Sequence, residues 1–143
     1  MNKSLLKEDD IIMRLDEDNV LVSVESRDAE ELNLTGCDIK GIGPEACKDM
    51  KKLSRVIIPE GIVEIGERAF YGCPIEELAI PHSLIKVGPD AFVGIRTHKV
   101  QYAGTECDFF TIINSSGFDI FGKSVIVECE NGDLSYGPLN YGK

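Results

Sequence analysis

The chain contains no Trp and only two His, and aromatic residues make up 7% of its 143 positions. Its packing must therefore rest on aliphatic side chains, Ile, Val and Leu above all. No stretch approaches the ~18 consecutive apolar residues that cross a bilayer, so no membrane span is expected. The opening MNKSLLKEDDIIMRLDEDNV has no apolar core and no small-residue cleavage site, and it does not read as a secretory signal. G-x-S-x-G, a P-loop, G-x-G-x-x-G, H-E-x-x-H and C-x-x-C are all missing. The expectation is a non-catalytic protein with no cofactor and no metal.

Basic residues are also scarce. Fifteen Lys and Arg face 25 Asp and Glu, a net charge of −10. Such a surface repels phosphate, which argues against nucleic acid or anionic membrane as partner and favours a basic or neutral one by steering. The five Cys (Cys37, Cys47, Cys73, Cys107, Cys129) are odd in number. Without an export signal that count points to free thiols in a reducing, cytoplasmic setting; a removed leader would shift the expectation to the cell surface or outside.

What the chain does have is internal similarity. Residues 53–74, LSRVIIPEGIVEIGERAFYGCP, align with residues 75–95, IEELAIPHSLIKVGPDAFVGI. Ile58-Pro59 falls over Ile80-Pro81, Ile65-Gly66 over Val87-Gly88, and Ala69-Phe70 over Ala91-Phe92, each 22 positions on. Weaker copies flank the pair. Upstream, Leu32 and Leu34 stand for Val56 and Ile58, and Ile42-Gly43 for Ile65-Gly66. Downstream, Val100 and Tyr102 follow Leu78 and Ile80. A period in the twenties is the signature of stacked solenoid coils with degenerate ends.

Each position has a physical reading. Val56 and Ile58 share one face of a short strand, which Pro59 ends because it has no N–H to donate. Ile62 and Ile65 make a second short extended segment. Gly66 is expected to allow a turn, and Ala69-Phe70 to begin a brief helical or 3-10 turn with Phe70 in the middle of the coil. Cys73 closes the coil as a small apolar residue.

The patterns V-I-I-P-x-x-I-x-x-I-G-x-x-A-F-x-x-C (56–73) and L-A-I-P-x-x-L-x-x-V-G-x-x-A-F (78–92) resemble the BspA-type, or Treponema pallidum-type, leucine-rich repeat. V-Q-Y-A-G-T (100–105), followed by Phe109 and Phe110, resembles the unit that caps such arrays. The resemblance implies an α/β repeat solenoid: a short right-handed stack of about three to four coils, mostly short parallel strands with short helical or 3-10 turns, capped at both ends. The expected organisation is an N-terminal cap or leading strand over 1–29, coils over 30–105, and a C-terminal cap and tail over 106–143. The resemblance also implies protein–protein recognition, with no catalytic residues, as an interaction module, a surface or secreted adhesin, or a self-assembling solenoid joined through its ends.

At the N-terminal end, Glu8, Asp9, Asp10, Asp16, Glu17 and Asp18 surround Ile11, Ile12 and Leu15, which suggests a hydrophilic helix or arm; Val20, Val22 and Val24 alternate like a leading strand. Asp16-Glu17-Asp18-Asn19 lacks the ligand spacing of a calcium loop. At the other end, 109–121 suits a cap, Val125-Ile126-Val127 a final strand and Asn131-Gly132 a turn, with Leu134 and Tyr136 returning as a hairpin and GPLNYGK as a frayed tail. A zinc site of Cys73, His82, His98 and Cys107 is opposed by register, since His82 aligns with Gly104 and His98 with Glu76. The candidate binding face is the outward side of the first strand of each coil. Glu31, Arg55, Glu77 and Lys99 form a row of alternating charge, and Asn33, Ile57, Ala79 and Gln101 form the row beside it. A protein or peptide partner is expected there.

Overall fold

A computed structural model of the chain describes residues 4–8, 11–116 and 120–136. It is a β-solenoid of about four turns. The chain runs β1 (Ser4–Glu8), β2 (Ile11–Leu15), β3 (Val20–Val24), β4 (Glu31–Asn33), β5 (Gly41–Ile42), β6 (Arg55–Ile57), β7 (Glu64–Ile65), β8 (Glu77–Ile80), β9 (Lys86–Val87), β10 (Lys99–Tyr102), α1 (Glu106–Ser116), β11 (Val125–Cys129) and β12 (Gly132–Tyr136). Sheet A has the order β1-β2-β3-β5-β7-β9, and sheet B the order β12-β11-β10-β8-β6-β4. Each coil gives one strand to sheet B and then one to sheet A, and strands of successive coils pair in parallel.

The aligned apolar positions stack as columns. In sheet B, Leu32 pairs with Val56 and Val56 with Leu78, while Val100 pairs with Val127; all five are buried. In sheet A, Leu21, Ile42, Ile65 and Val87 form the facing column. Each such side chain taken out of water stabilises the fold by about 1.5–3 kcal/mol. Phe70 and Phe92 lie fully buried in the coils, as their repeat position demands.

The third side of each coil is a ribbon of linked turns. The amides of Ala69, Tyr71 and Cys73 bond back to the carbonyls of Gly66, Arg68 and Phe70. The alternate amides of Arg68, Phe70 and Gly72 bond across to Pro89, Ala91 and Val93 of the next coil. Every second N–H thus closes a turn and the others join coils, which leaves the buried backbone satisfied. Arg68 and Gly72 sit at φ +55° and +81°, so the segment is not a continuous 3-10 helix. Asp49 takes the position of Gly72 at φ +61°. Gly66 has another reason than the turn expected of it. A Cβ there would lie 2.5 Å from the Pro44 backbone nitrogen, and one at Gly88 would lie 2.5 Å from that of Glu67. These glycines let one coil's backbone rest on the next.

Asp9 and Asp10 lie outside the described residues, but the rest of the N-terminal acidic segment is strand and turn and not the helix or arm expected. β1 and β2 form an antiparallel hairpin, and β2 pairs antiparallel with β3. The reason is a period of two: Met13 and Leu15 are buried and Ile11 is partly buried, while Ile12 faces out. Asp16, the residue opening the DEDN run, builds the turn between β2 and β3. Its Oδ1 accepts the N–H groups of Asp18 (2.8 Å) and Val20 (3.0 Å), and Asn19 takes φ +62°.

At the C-terminal end α1 takes the place of a sheet A strand and packs against β9. Thr105 and Asp108 cap it reciprocally, at 3.2 Å to the Thr105 hydroxyl and 3.1 Å to the Asp108 carboxylate. Ile120 and Phe121 then resume the turn ribbon, since Phe92 N–H donates to the Ile120 carbonyl at 2.9 Å. β11 and β12 close sheet B as a hairpin whose turn is Glu130-Asn131, one residue earlier than the Asn131-Gly132 expected, because Gly132 already pairs with Cys129. The tail 137–143 lies outside the described residues.

Candidate functional site

The outward side of sheet B carries the residues singled out above. Parallel register sets Glu31 beside Arg55 and Arg55 beside Glu77, and likewise Asn33 beside Ile57, Ile57 beside Ala79, and Ala79 beside Gln101. Alternation along each strand aims these side chains away from the buried columns. Arg55 bridges its two neighbours, with Nε 2.9 Å from Glu77 and Nη1 3.5 Å from Glu31. Lys99 turns to Glu128 on β11, at 3.7 Å. These pairs are exposed, and each contributes about 0–1 kcal/mol. A depression of about 400 Å³ runs over Ile57, Ala79, Thr97 and Gln101 beside Arg55, Glu77 and Lys99 of the charged row.

Two features of this face escaped the residue pattern. It does not stop at four strands, because β11 joins β10 in parallel and adds Glu128 and the 37%-exposed Ile126. The alternation of Val125, Ile126 and Val127 marks a strand but not its sheet. Sheet A, moreover, has an outward face of its own, where Val63 is 43% exposed and Ile85 55%. Val63, with Val20, Pro44 and Pro89, borders a groove of about 570 Å³ over the glycine rows. The 22-residue offset of Val63 and Ile85 was visible in the sequence, but not the direction in which they point.

The remaining candidates lie apart. Cys73 is buried, and its thiol donates to the Cys47 carbonyl at 3.0 Å. His82 packs over Gly104, its aligned position, and its Nε2 lies 3.1 Å from Asp108. His98 and Cys107 are exposed. Among the described residues no three metal-ligating side chains converge.

The coil geometry has a counterpart among known families. The profile of the BspA type leucine rich repeat region matches residues 25–131, in six copies. The chain belongs to the BspA-type leucine-rich repeat family. The family match takes in residues 106–131, where Ile120 and Phe121 continue the turn ribbon of the coils before them. No curated protein and no solved structure matches the chain. Membership of this BspA-type family fits a repeat protein of the kind that commonly serves protein interaction, on a fold that is typically non-catalytic.

Proposed function

We propose that the protein is a non-catalytic binding module that holds a protein or peptide on the outward face of sheet B. The observation carrying this reading is the row Asn33, Ile57, Ala79, Gln101, which is continuous in register and only lightly charged. Ile57 and Ala79 are partly exposed there and offer apolar contact in the depression beside the charged row. Arg55 and Lys99, held by acids on neighbouring strands, supply fixed charge at the margin. Parallel strands stacked in this way present a rigid surface, the usual recognition element of solenoids.

The test is capture from native extract with the wild-type chain and an Arg55→Ala, Ile57→Ala double variant. The variant loses the captured partner while keeping its melting temperature, because both side chains lie outside the core. Equal capture by the two proteins would show that this face is not the one used.

A further inference from the structure

The two sheets end out of step. At the N-terminal end sheet A continues through β3, β2 and β1, whereas sheet B stops at β4. At the C-terminal end sheet B continues through β11 and β12 and sheet A stops at β9, where α1 packs against it. The notch beside β9 is thus filled by the chain itself. Beside β4 no described element stands. A complete coil would place a sheet B strand there, but β2 turns back within sheet A instead.

The result is a groove of about 670 Å³ at the edge of β4. Its floor is apolar: Met13 and Leu32 belong to the core, and Ile11 and Ala29 pack against it. One wall is a strand edge. The Glu30 carbonyl accepts from Ser54 and Arg55, and the Leu34 amide donates to Ile57, so these groups face β6. By strand alternation the N–H and C=O groups of Glu31 and Asn33 face the groove. The rim is acidic. Glu25 is held by Arg14 at 2.6 Å and Glu31 by Arg55, but Asp28 and Glu30 enter no ion pair among the described residues. The guanidinium of Arg27, the one base lining the groove among the described residues, donates to the carbonyls of Val24 and Lys48.

We propose that this edge takes up an extended, lysine- or arginine-bearing segment of a partner protein as an added strand beside β4. Main-chain bonds to Glu31 and Asn33 fix the segment, as in other cases of strand addition. Its alternate side chains divide between the apolar floor and the Asp28 and Glu30 carboxylates. The net charge of −10 favours the approach of a basic segment. A second copy of this acidic chain is disfavoured by the same charge. The groove lies at the end of the stack, so the proposal stands whether or not the outward face of sheet B binds anything.

The probe is a short labelled peptide of alternating lysine and valine. Its controls are the glutamate–valine counterpart and a version N-methylated on alternate amides. Fluorescence anisotropy gives affinity, and amide chemical shifts give location. The lysine–valine peptide is expected to bind at least about tenfold more tightly than either control. Its largest shift changes fall on residues 28–34. An Asp28→Lys, Glu30→Lys double variant weakens it by about tenfold or more. Equal binding of the acidic peptide, undiminished binding of the N-methylated one, or shift changes confined to the outward sheet faces would overturn the proposal. So would a dimer in light scattering that the double variant dissolves, since a second copy would then own the edge. If the double variant unfolds, the comparison of the three peptides on the wild-type chain still decides.

Discussion

The rings of Phe70 and Phe92 lie parallel, with centroids 5.2 Å apart and planes 4° from each other. They occupy the same position of successive coils, and the stack continues to Phe121 at 5.8 Å. Tyr136 meets both Phe121 and Phe109 edge-on at 5.9 Å, and Tyr102 meets Phe109 at 5.3 Å. A spine of rings therefore ties the regular coils to the C-terminal cap. Phe92 is the middle ring of the Phe70–Phe92–Phe121 stack, so Phe92→Ala leaves a cavity between coil and cap. The expected loss is about 3–5 kcal/mol in urea unfolding. Phe92→Leu loses less, because it refills most of the volume. Equal losses for the two would mean that volume is not what the spine contributes.

Arg55 offers the opposite case, a visible network with little energy in it. Arg55→Ala removes contacts to both Glu31 and Glu77. All three side chains are well exposed, so each pair contributes about 0–1 kcal/mol. The midpoint of unfolding should move by no more than that sum. A loss above about 2 kcal/mol would show a network stronger than its solvent exposure allows.

The coils were legible because their constraints are local and recur. The offset of 22 residues between Ile58-Pro59 and Ile80-Pro81 places Ile57 beside Ala79, and the structure pairs them. The binding row could be drawn for the same reason, although its use by a partner rests on proposal. The ends were less legible. Acids crowd Ile11, Met13 and Leu15, so the run reads as solvated cover, and its period of two emerges only when sheet A is there to receive it. The edge of β4 depends on which way β2 turns, which no repeat position encodes. Gly66 and Gly88 were legible as recurring points of the coil pattern, but coil-to-coil contact, not turn geometry, requires them.

Acid should loosen the cap helix. The Thr105 backbone N–H, then its hydroxyl, and the neighbouring His82 hold the Asp108 carboxyl below its ordinary pKa of 3.8. A carboxyl depressed in the folded state stabilises fully above its unfolded value, and that stabilisation is lost as pH falls through the folded one. Protection of the amides in the first turn of α1, measured relative to their intrinsic exchange rates, should therefore fall as pH drops below the usual carboxylate range. Asp108→Ala should show the lower protection already at neutral pH. An acid response identical in Asp108→Ala and wild type would remove Asp108 from the explanation.

Thiol reactivity should sort by burial. Cys47 and Cys73 are buried, and burial pushes the Cys73 thiol up to about 11 and the Cys47 thiol up as well. Little thiolate exists at either site near neutral pH, and the thiolate is the reacting form. Cys107 is exposed on α1. An aromatic disulfide reagent should modify Cys107 first and reach Cys47 and Cys73 only on unfolding. Modification of Cys73 at the rate of Cys107 in the folded protein would show that the coils open there.

Gly88 gives the sharpest test of how closely the coils rest on one another. Its φ is not in the left-handed region, so alanine would be acceptable to the local backbone. The added methyl would nevertheless come within 2.5 Å of the Glu67 nitrogen and 2.8 Å of the Gly66 carbonyl carbon. Both are main-chain atoms of the preceding coil, so no side-chain rotation relieves the overlap. Either the coils separate, weakening the bonds from Gly88 N–H to Ile65 and from Arg68 N–H to Pro89, or the ribbon distorts. Overpacking of this kind costs about 1–3 kcal/mol, and more where backbone must move. Gly61 is the contrast. It sits at φ +109°, and a methyl added there would find nothing within 4 Å, so Gly61→Ala meets only local strain, about 1–2 kcal/mol. Urea unfolding of the two variants should rank Gly88→Ala as the more damaging. The reverse order would mean that turn conformation, and not coil contact, is what the glycine of each repeat supplies.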